Sequence, residues 1–329
     1  MPGIKSIATY YPKNRMNNEE LAKKFGFTIT FLLEKVGVAT RAIADAEETT
    51  SDMCCSAARL LFEKNPELDP SQVDLLIVCT QNPDYRIPHT SAILQNRLNL
   101  ANSLAAFDIN LGCSGYLYSL AVCKSLIESL GFKNVLLFTA DPYSKVLDPD
   151  DSSTALLFSD AATATWLSNE AENSIGLFSF GTDGSEAESL MIKGGGIKFP
   201  FLGKGFPLCS LQGKLEDPFL RMNGKKICKF VKKTIPDDVK KCLTKNKIDI
   251  EEVDYFIFHQ ASKYLIDSLR KELNLEESKV LCRMLHSGNT VSSSIPGVLQ
   301  TILEEEGPGK KIILSGFGVG LSWGSCLLY

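Results

Sequence analysis

Short, uninterrupted apolar runs recur along the chain: Leu75-Leu76-Ile77-Val78, Val135-Leu136-Leu137-Phe138, Tyr255-Phe256-Ile257-Phe258 and Ile312-Ile313-Leu314. Each is β-branched or aromatic in character and has a charged residue within the two positions before it. None shows the alternation of a half-exposed strand, so each predicts a strand covered on both faces. Between these runs the spacing becomes helical. Thr50 to Phe62 opens with Ser51 and Asp52 as cap candidates. Ser114 to Leu130 carries Leu117, Leu120, Ala121, Ile127 and Leu130 on one side, and Gly131 then supplies a left-handed stop. Strand and helix in alternation predict a layered α/β fold.

The runs also repeat. Gln72 to Val78 resembles Glu252 to Phe258 at an offset of 253 − 73 = 180, and Asn134 to Phe138 resembles Lys311 to Ser315 at 312 − 135 = 177. Two matches in the same order at nearly constant spacing point to two similar halves, expected at residues 1–168 and 169–329. The least regular stretch, Gly181 to Gly213, holds Gly194-Gly195-Gly196, Gly203 and Gly205 and reads as a loop or cap linking them.

Composition narrows the function. At 329 residues with 44% hydrophobic and 22% charged positions, the chain can bury a large core, which excludes dominant disorder. A net charge of -4 argues against a nucleic-acid partner. No apolar run approaches the roughly 20 residues of a membrane span, and the first fifteen residues lack a secretory pattern. A cytoplasmic, non-membrane protein is expected. The ten cysteines include no C-x-x-C pair and read mostly as reduced core residues. Any imidazole chemistry must come from His89, His259 or His286.

The sharpest chemical signal is Phe107-Asp108-Ile109-Asn110-Leu111-Gly112-Cys113-Ser114-Gly115, a strand that turns through glycine and delivers a cysteine to the start of an apolar helix. The peptide dipoles and free N–H groups there favour thiolate over thiol and suit a nucleophile. His259 ends the strand Tyr255 to Phe258, where open α/β sheets place ligands. Asn289, in the small polar stretch His286 to Ser294, either caps a helix or donates its amide to a developing oxyanion. The glycines of Ser315 to Gly324 lack dinucleotide-loop spacing and instead suit a close approach of backbone to a reacting group.

Together these segments resemble the β-ketoacyl-acyl carrier protein synthase III family of thiolase-fold condensing enzymes. The likeness rests on the Cys113 segment, Phe158-Ser159-Asp160-Ala161-Ala162, Thr182-Asp183-Gly184-Ser185, His259-Gln260-Ala261, Gly288-Asn289-Thr290 and Phe317 to Ser325, and it spans essentially the whole chain. It implies a thiolase-like, duplicated five-layer αβαβα fold and a homodimer. The implied reaction is a ping-pong decarboxylative Claisen condensation of an acyl-CoA or acyl-carrier primer with malonyl on acyl carrier protein. Cys113 would carry the acyl group. His259 and Asn289 would stabilise the enolate, and backbone N–H groups of Cys113, Val319 and Gly320 the second oxyanion, with neither metal nor cofactor.

The resemblance further implies an acyl pocket at Ile87, Tyr143 and Phe317. Ile87, in the Arg86-Ile87-Pro88 loop that family members insert across the dimer interface, is smaller than the common Phe, which suggests primers longer than acetyl, although Tyr143 could cancel the gain. Phe31 and Ser152 stand where a Trp and an Arg usually clamp the adenine of coenzyme A, and Ser262 replaces an Asn at the pantetheine arm. Lys229, Lys263, Arg270 and Lys271 would dock the carrier, although Tyr264 replaces an Arg of that patch. Two other readings remain open: a specialised condensing acyltransferase with a different acceptor, and, more remotely, a Cys-His-Asn hydrolase.

Overall fold

The computed structural model describes residues 1–200 and 216–329. Nine strands build the main sheet: β1 (Gly3–Tyr10), β2 (Leu75–Cys79), β3 (Ala105–Ile109), β4 (Val135–Ala140), β5 (Ala162–Ser168), β6 (Asn173–Thr182), β7 (Tyr255–Phe258), β8 (Ile312–Gly318) and β9 (Ser322–Leu328). Their spatial order is β7-β8-β9-β6-β1-β5-β4-β2-β3. The two flanks of this sheet meet through only two antiparallel pairs, Gly3 with Ser174 and Ile4 with Asn173.

Each flank has the same plan. In the first, parallel β2 and β4 pair Leu75 with Val135, and β4 then runs antiparallel to β5. In the second, parallel β7 and β8 pair Tyr255 with Ile312, and β8 runs antiparallel to β9. A parallel bridge from Phe256 to Val280 stands where β3 lies in the first. The repeated sequences are thus the central parallel pair of each flank, in equivalent register. Every residue of β2 and of β4 is buried, which explains their unbroken apolar character.

Five main helices cover these faces: α1 (Thr50–Lys64), α2 (Gly115–Leu130), α3 (Gly224–Asn246), α4 (Lys263–Glu272) and α5 (Ser294–Glu306). Helices α2 and α5 touch strands of both flanks, whereas α1 packs on β1 and β5 and α3 on β6, β8 and β9. The layers therefore run αβαβα. Leu117, Leu120 and Ile127 of α2 join Ile257, Ile312 and Leu314 in the central core. Truncating one such side chain costs roughly 2 to 5 kcal/mol.

Several local expectations change. Helix α1 is capped by Thr49, which exchanges hydrogen bonds with Asp52 at the third helical position, while Ser51 bonds Asp84 instead. Leu130, the last residue of α2, points to solvent at 62% exposure, and Gly131 follows with φ 71°. Within Gly181 to Gly213, β6 continues to Thr182, and Leu190–Met191 pairs antiparallel with Arg221–Met222. Residues 201–215 of that stretch lie outside the described residues.

Candidate active site

Cys113 sits on the turn between β3 and α2, and Gly115 N–H bonds Gly112 O to tighten that turn. Strand β8 presses on it from the other half. A methyl group at Gly318 would lie 2.7 Å from Cys113 Cβ and 2.8 Å from its Sγ, so no other residue fits there without a shift. Cys113 is 4% exposed. Burial pushes its thiol up to about 12, although the N–H groups of Val319 and of Cys113 itself both reach the sulfur and pull the other way. The resting group is a thiol. The helix-start argument for a thiolate is outweighed because desolvation of the anion is the larger effect.

His259 follows β7, and its N–H bonds Ser315 O on β8. The ring is 1% exposed, and burial alone lowers it to about 3, so it is neutral at physiological pH. Its Nδ1 lies 2.6 Å from Ser294 Oγ. That hydroxyl also accepts the Gln260 N–H at 3.4 Å, and with the ring proton on Nε2 its own proton goes to Nδ1. The ring packs edge-on against Phe317, with centroids 5.7 Å apart.

Asn289, 3% exposed, is held by its own backbone: its N–H bonds Leu157 O, and its carbonyl accepts Ser159 N–H, both at 2.9 Å. Its Oδ1 accepts the Val291 N–H at 3.0 Å, and its Nδ2 group donates one hydrogen to Ala261 O at 3.5 Å and has a second to give. Beneath this loop Asp141, at the end of β4, accepts Ser292 O–H and Gln81 N–H. Burial is the largest influence on Asp141 and raises it to about 7.

Cys113, His259 and Asn289 line one cavity of about 770 Å³. Phe31, Ser152, Ser262 and Phe317, singled out from the sequence, line it too. Its walls are largely apolar, including Phe27, Leu156, Phe158, Leu190 and Met222. Phe27 and Phe31 stack with centroids 4.7 Å apart. Tyr143 lies outside the cavity lining, buried against Phe158, and its hydroxyl donates to Gln81 Oε1 at 2.9 Å. Ile87 is 86% exposed and does not reach the cavity of its own chain. Gly320, with φ 137°, lies beyond Val319 in the turn joining β8 to β9, and that turn is tied by reciprocal Asp183 and Leu321 backbone bonds.

Of the basic residues expected around the entrance, Lys229 is exposed on α3. Lys263, Arg270 and Lys271 lie on α4, where Lys263 pairs with Asp267 at 2.8 Å. Tyr264, a cavity residue, has the Lys35 and Lys232 ammonium groups over its ring. Sequence reasoning passed over Ser294, which reads as an ordinary helix start, and Asp141, which reads as a strand end. It also passed over Ile227 and Cys228 of the cavity wall, because nothing local marks which face of α3 meets the site.

The chain was compared with known proteins. The family model described as 3-oxoacyl-[acyl-carrier-protein (ACP)] synthase III matches residues 107–184, and its C-terminal counterpart matches residues 243–329. The β-ketoacyl-[acyl-carrier-protein] synthase III of Natranaerobius thermophilus is 33% identical over 100% of this chain and 99% of its own. A crystal structure of a 3-oxoacyl-(acyl-carrier-protein) synthase III is 37% identical, covers 99% of both chains and superposes with a TM-score of 0.92. A priming β-ketosynthase from a polyketide biosynthetic pathway is 25% identical, covers 100% of this chain and 96% of its own, and has a TM-score of 0.87. With thiolase-fold architecture, both family models and relatives over its full length, this chain belongs to the β-ketoacyl-[acyl-carrier-protein] synthase III family.

Proposed function

We propose that the protein joins an acyl primer to the malonyl group of malonyl-acyl carrier protein by decarboxylative Claisen condensation, in fatty acid biosynthesis. The observation that carries this reading is the shared cavity: one buried thiol, one neutral imidazole and one carboxamide open into the same space. In the first half-reaction the Cys113 sulfur attacks the primer thioester carbonyl. The new C–S bond replaces the old one, and the thiol proton passes to the departing thiol. The N–H groups of Cys113 and Val319, which already converge on the sulfur, and that of Gly320 stabilise the tetrahedral oxyanion.

In the second half-reaction the malonyl C–CO₂ bond breaks, and its electron pair forms a thioester enolate. Nε2–H of His259 and the Nδ2 group of Asn289 donate to that oxygen. The enolate carbon attacks the acyl-cysteine carbonyl, and collapse of the adduct returns the sulfur. Two preorganised neutral donors suffice for the enolate, so neither a metal nor an organic cofactor is required. A histidine lowered to about 3 is too weak a base to hold a resting thiolate, which speaks against hydrolase chemistry.

We infer a cytoplasmic homodimer whose two halves divide at 168/169. Exposed Tyr85 and Ile87, and β3 at the open end of the sheet order, supply an unpaired apolar edge of the kind a second copy covers. Lys229, Lys263, Arg270 and Lys271 are proposed to receive the carrier. A second reading, a specialised condensing enzyme primed from a carrier rather than coenzyme A, draws on Phe31 and Ser152 at the cavity wall, where a cation clamp for a nucleotide would otherwise stand. Separate assays of the half-reactions test the assignment. His259→Ala and Asn289→Ala should each lose about 10²-fold or more in malonyl decarboxylation while still acylating Cys113. Equal loss of both steps contradicts the division of roles.

A further inference from the structure

A second cavity of about 280 Å³ is lined by Gln260, Gly288 and Thr290, chain neighbours of His259 and Asn289, and by Ser294, whose hydroxyl meets the His259 ring. Exposed Arg15, Arg283 and His286 line it, with Tyr11, Ser294 and Thr301 among its other walls, and among the described residues no carboxylate lines it. Arg15 has no acidic partner among the described ion pairs and lies over the Tyr11 ring with its guanidinium carbon 5.6 Å from the centroid. Arg283 meets one carboxylate, Glu305, at 3.2 Å at the surface. Two guanidinium groups present fixed forks of donors, and the imidazole and hydroxyls add more from other directions. This suits a compact anion with more than two acceptor oxygens better than a flat monocarboxylate.

We propose that this cavity binds a small phosphate-bearing anion and that its occupancy slows enolate formation through Ser294. The second clause rests on the condensing reaction proposed above; the first does not. Ser294 has a single hydroxyl proton, and with the ring proton on Nε2 that proton goes to Nδ1 of His259, 2.6 Å away. An oxyanion in the cavity competes for the same proton. A donated bond to the anion releases Nδ1, and the ring is no longer fixed with its proton on Nε2. Gln260, next to that ring, fixes the chain at Arg283, because its Oε1 accepts the Arg283 backbone N–H at 2.9 Å.

The test is isothermal titration of the full chain with inorganic phosphate, with pyrophosphate and with malonate, at ionic strength held constant with chloride. Saturable binding of one phosphate or pyrophosphate per chain is expected, weakened by about tenfold or more in the Arg15→Ala, Arg283→Ala double variant and unchanged in Lys225→Ala at the thiol cavity. Absence of saturable binding, equal affinity in the double variant, loss in Lys225→Ala, or malonate binding as tightly as phosphate each overturns the site. In kinetic assays, phosphate should slow malonyl decarboxylation by the wild type but not by the double variant, with acylation of Cys113 unaffected. Unchanged decarboxylation at saturating phosphate overturns the Ser294 coupling. Failure of Cys113 to acylate without phosphate would instead count against the condensing reaction and leave the binding result standing.

Discussion

His259 is buried with a hydroxyl beside it and no anion, and that environment decides its role. Its unfolded value of about 6.5 falls to about 3 on folding, so the stability linked to the neutral ring is complete above pH 6.5 and is lost as pH falls toward 3. Nitrogen NMR should therefore find a neutral ring protonated at Nε2 between about pH 5 and about pH 8, the range where an ordinary histidine titrates. Ser294→Ala removes the donor to Nδ1. We expect it to lower malonyl decarboxylation by about tenfold, to mix the two tautomers and to leave acylation of Cys113 intact. A titration midpoint near 6.5 in the wild type contradicts this account of the ring. That Cys113, His259 and Asn289 meet at one cavity was legible because each stands at a junction of strand, turn and helix that a short stretch of sequence announces. The protonation state of Cys113 was not, since desolvation depends on residues distant in the chain. Ser294 was hidden for the same reason: only the fold brings it 2.6 Å from the ring.

At the scale of elements, β8 and α2 meet across the duplication, and Gly318 sets how closely. Gly318→Ala introduces a methyl group 2.7 Å from Cys113 Cβ, where the contact is with a residue fixed by its turn rather than with a flexible chain end. The variant should show at least about a tenfold slower acylation and alkylation of Cys113, with circular dichroism showing a folded protein. Wild-type alkylation rates would show that the strand does not confine the thiol. The sequence already suggested that glycines in Ser315 to Gly324 allow close backbone approach. Which group they approach follows only from the pairing of β8 with β7 and β9. The helix starting at Thr50 was likewise visible, but its cap lies two residues before Ser51 and three before Asp52, because Thr49, Ser51 and Asp52 are all competent caps and only the backbone chooses among them.

At the scale of the molecule, the repeated apolar runs encode a repeated topology, and the equivalent pairs Leu75 with Val135 and Tyr255 with Ile312 explain why offsets of 180 and 177 could be read from the chain. The acyl-pocket expectations fared differently. Tyr143 is directed at Gln81, a direction its loop sequence does not announce, whereas Ile87, expected to act across a dimer interface, is exposed on its own chain. If Ile87 serves a partner copy, Ile87→Glu should shift a dimer to monomer in sedimentation velocity at micromolar concentration. A monomeric wild type contradicts the homodimer, and a variant that remains fully dimeric contradicts a place for Ile87 in its interface. The account as a whole depends on a covalent step at one sulfur, and peptide mass spectrometry tests that directly. After incubation with acyl-CoA or acyl-carrier thioesters, the acyl mass should appear on the Cys113 peptide, vanish in Cys113→Ala and discharge on addition of malonyl-acyl carrier protein. An unmodified Cys113 with every donor, or an acyl mass carried by another residue, contradicts the account.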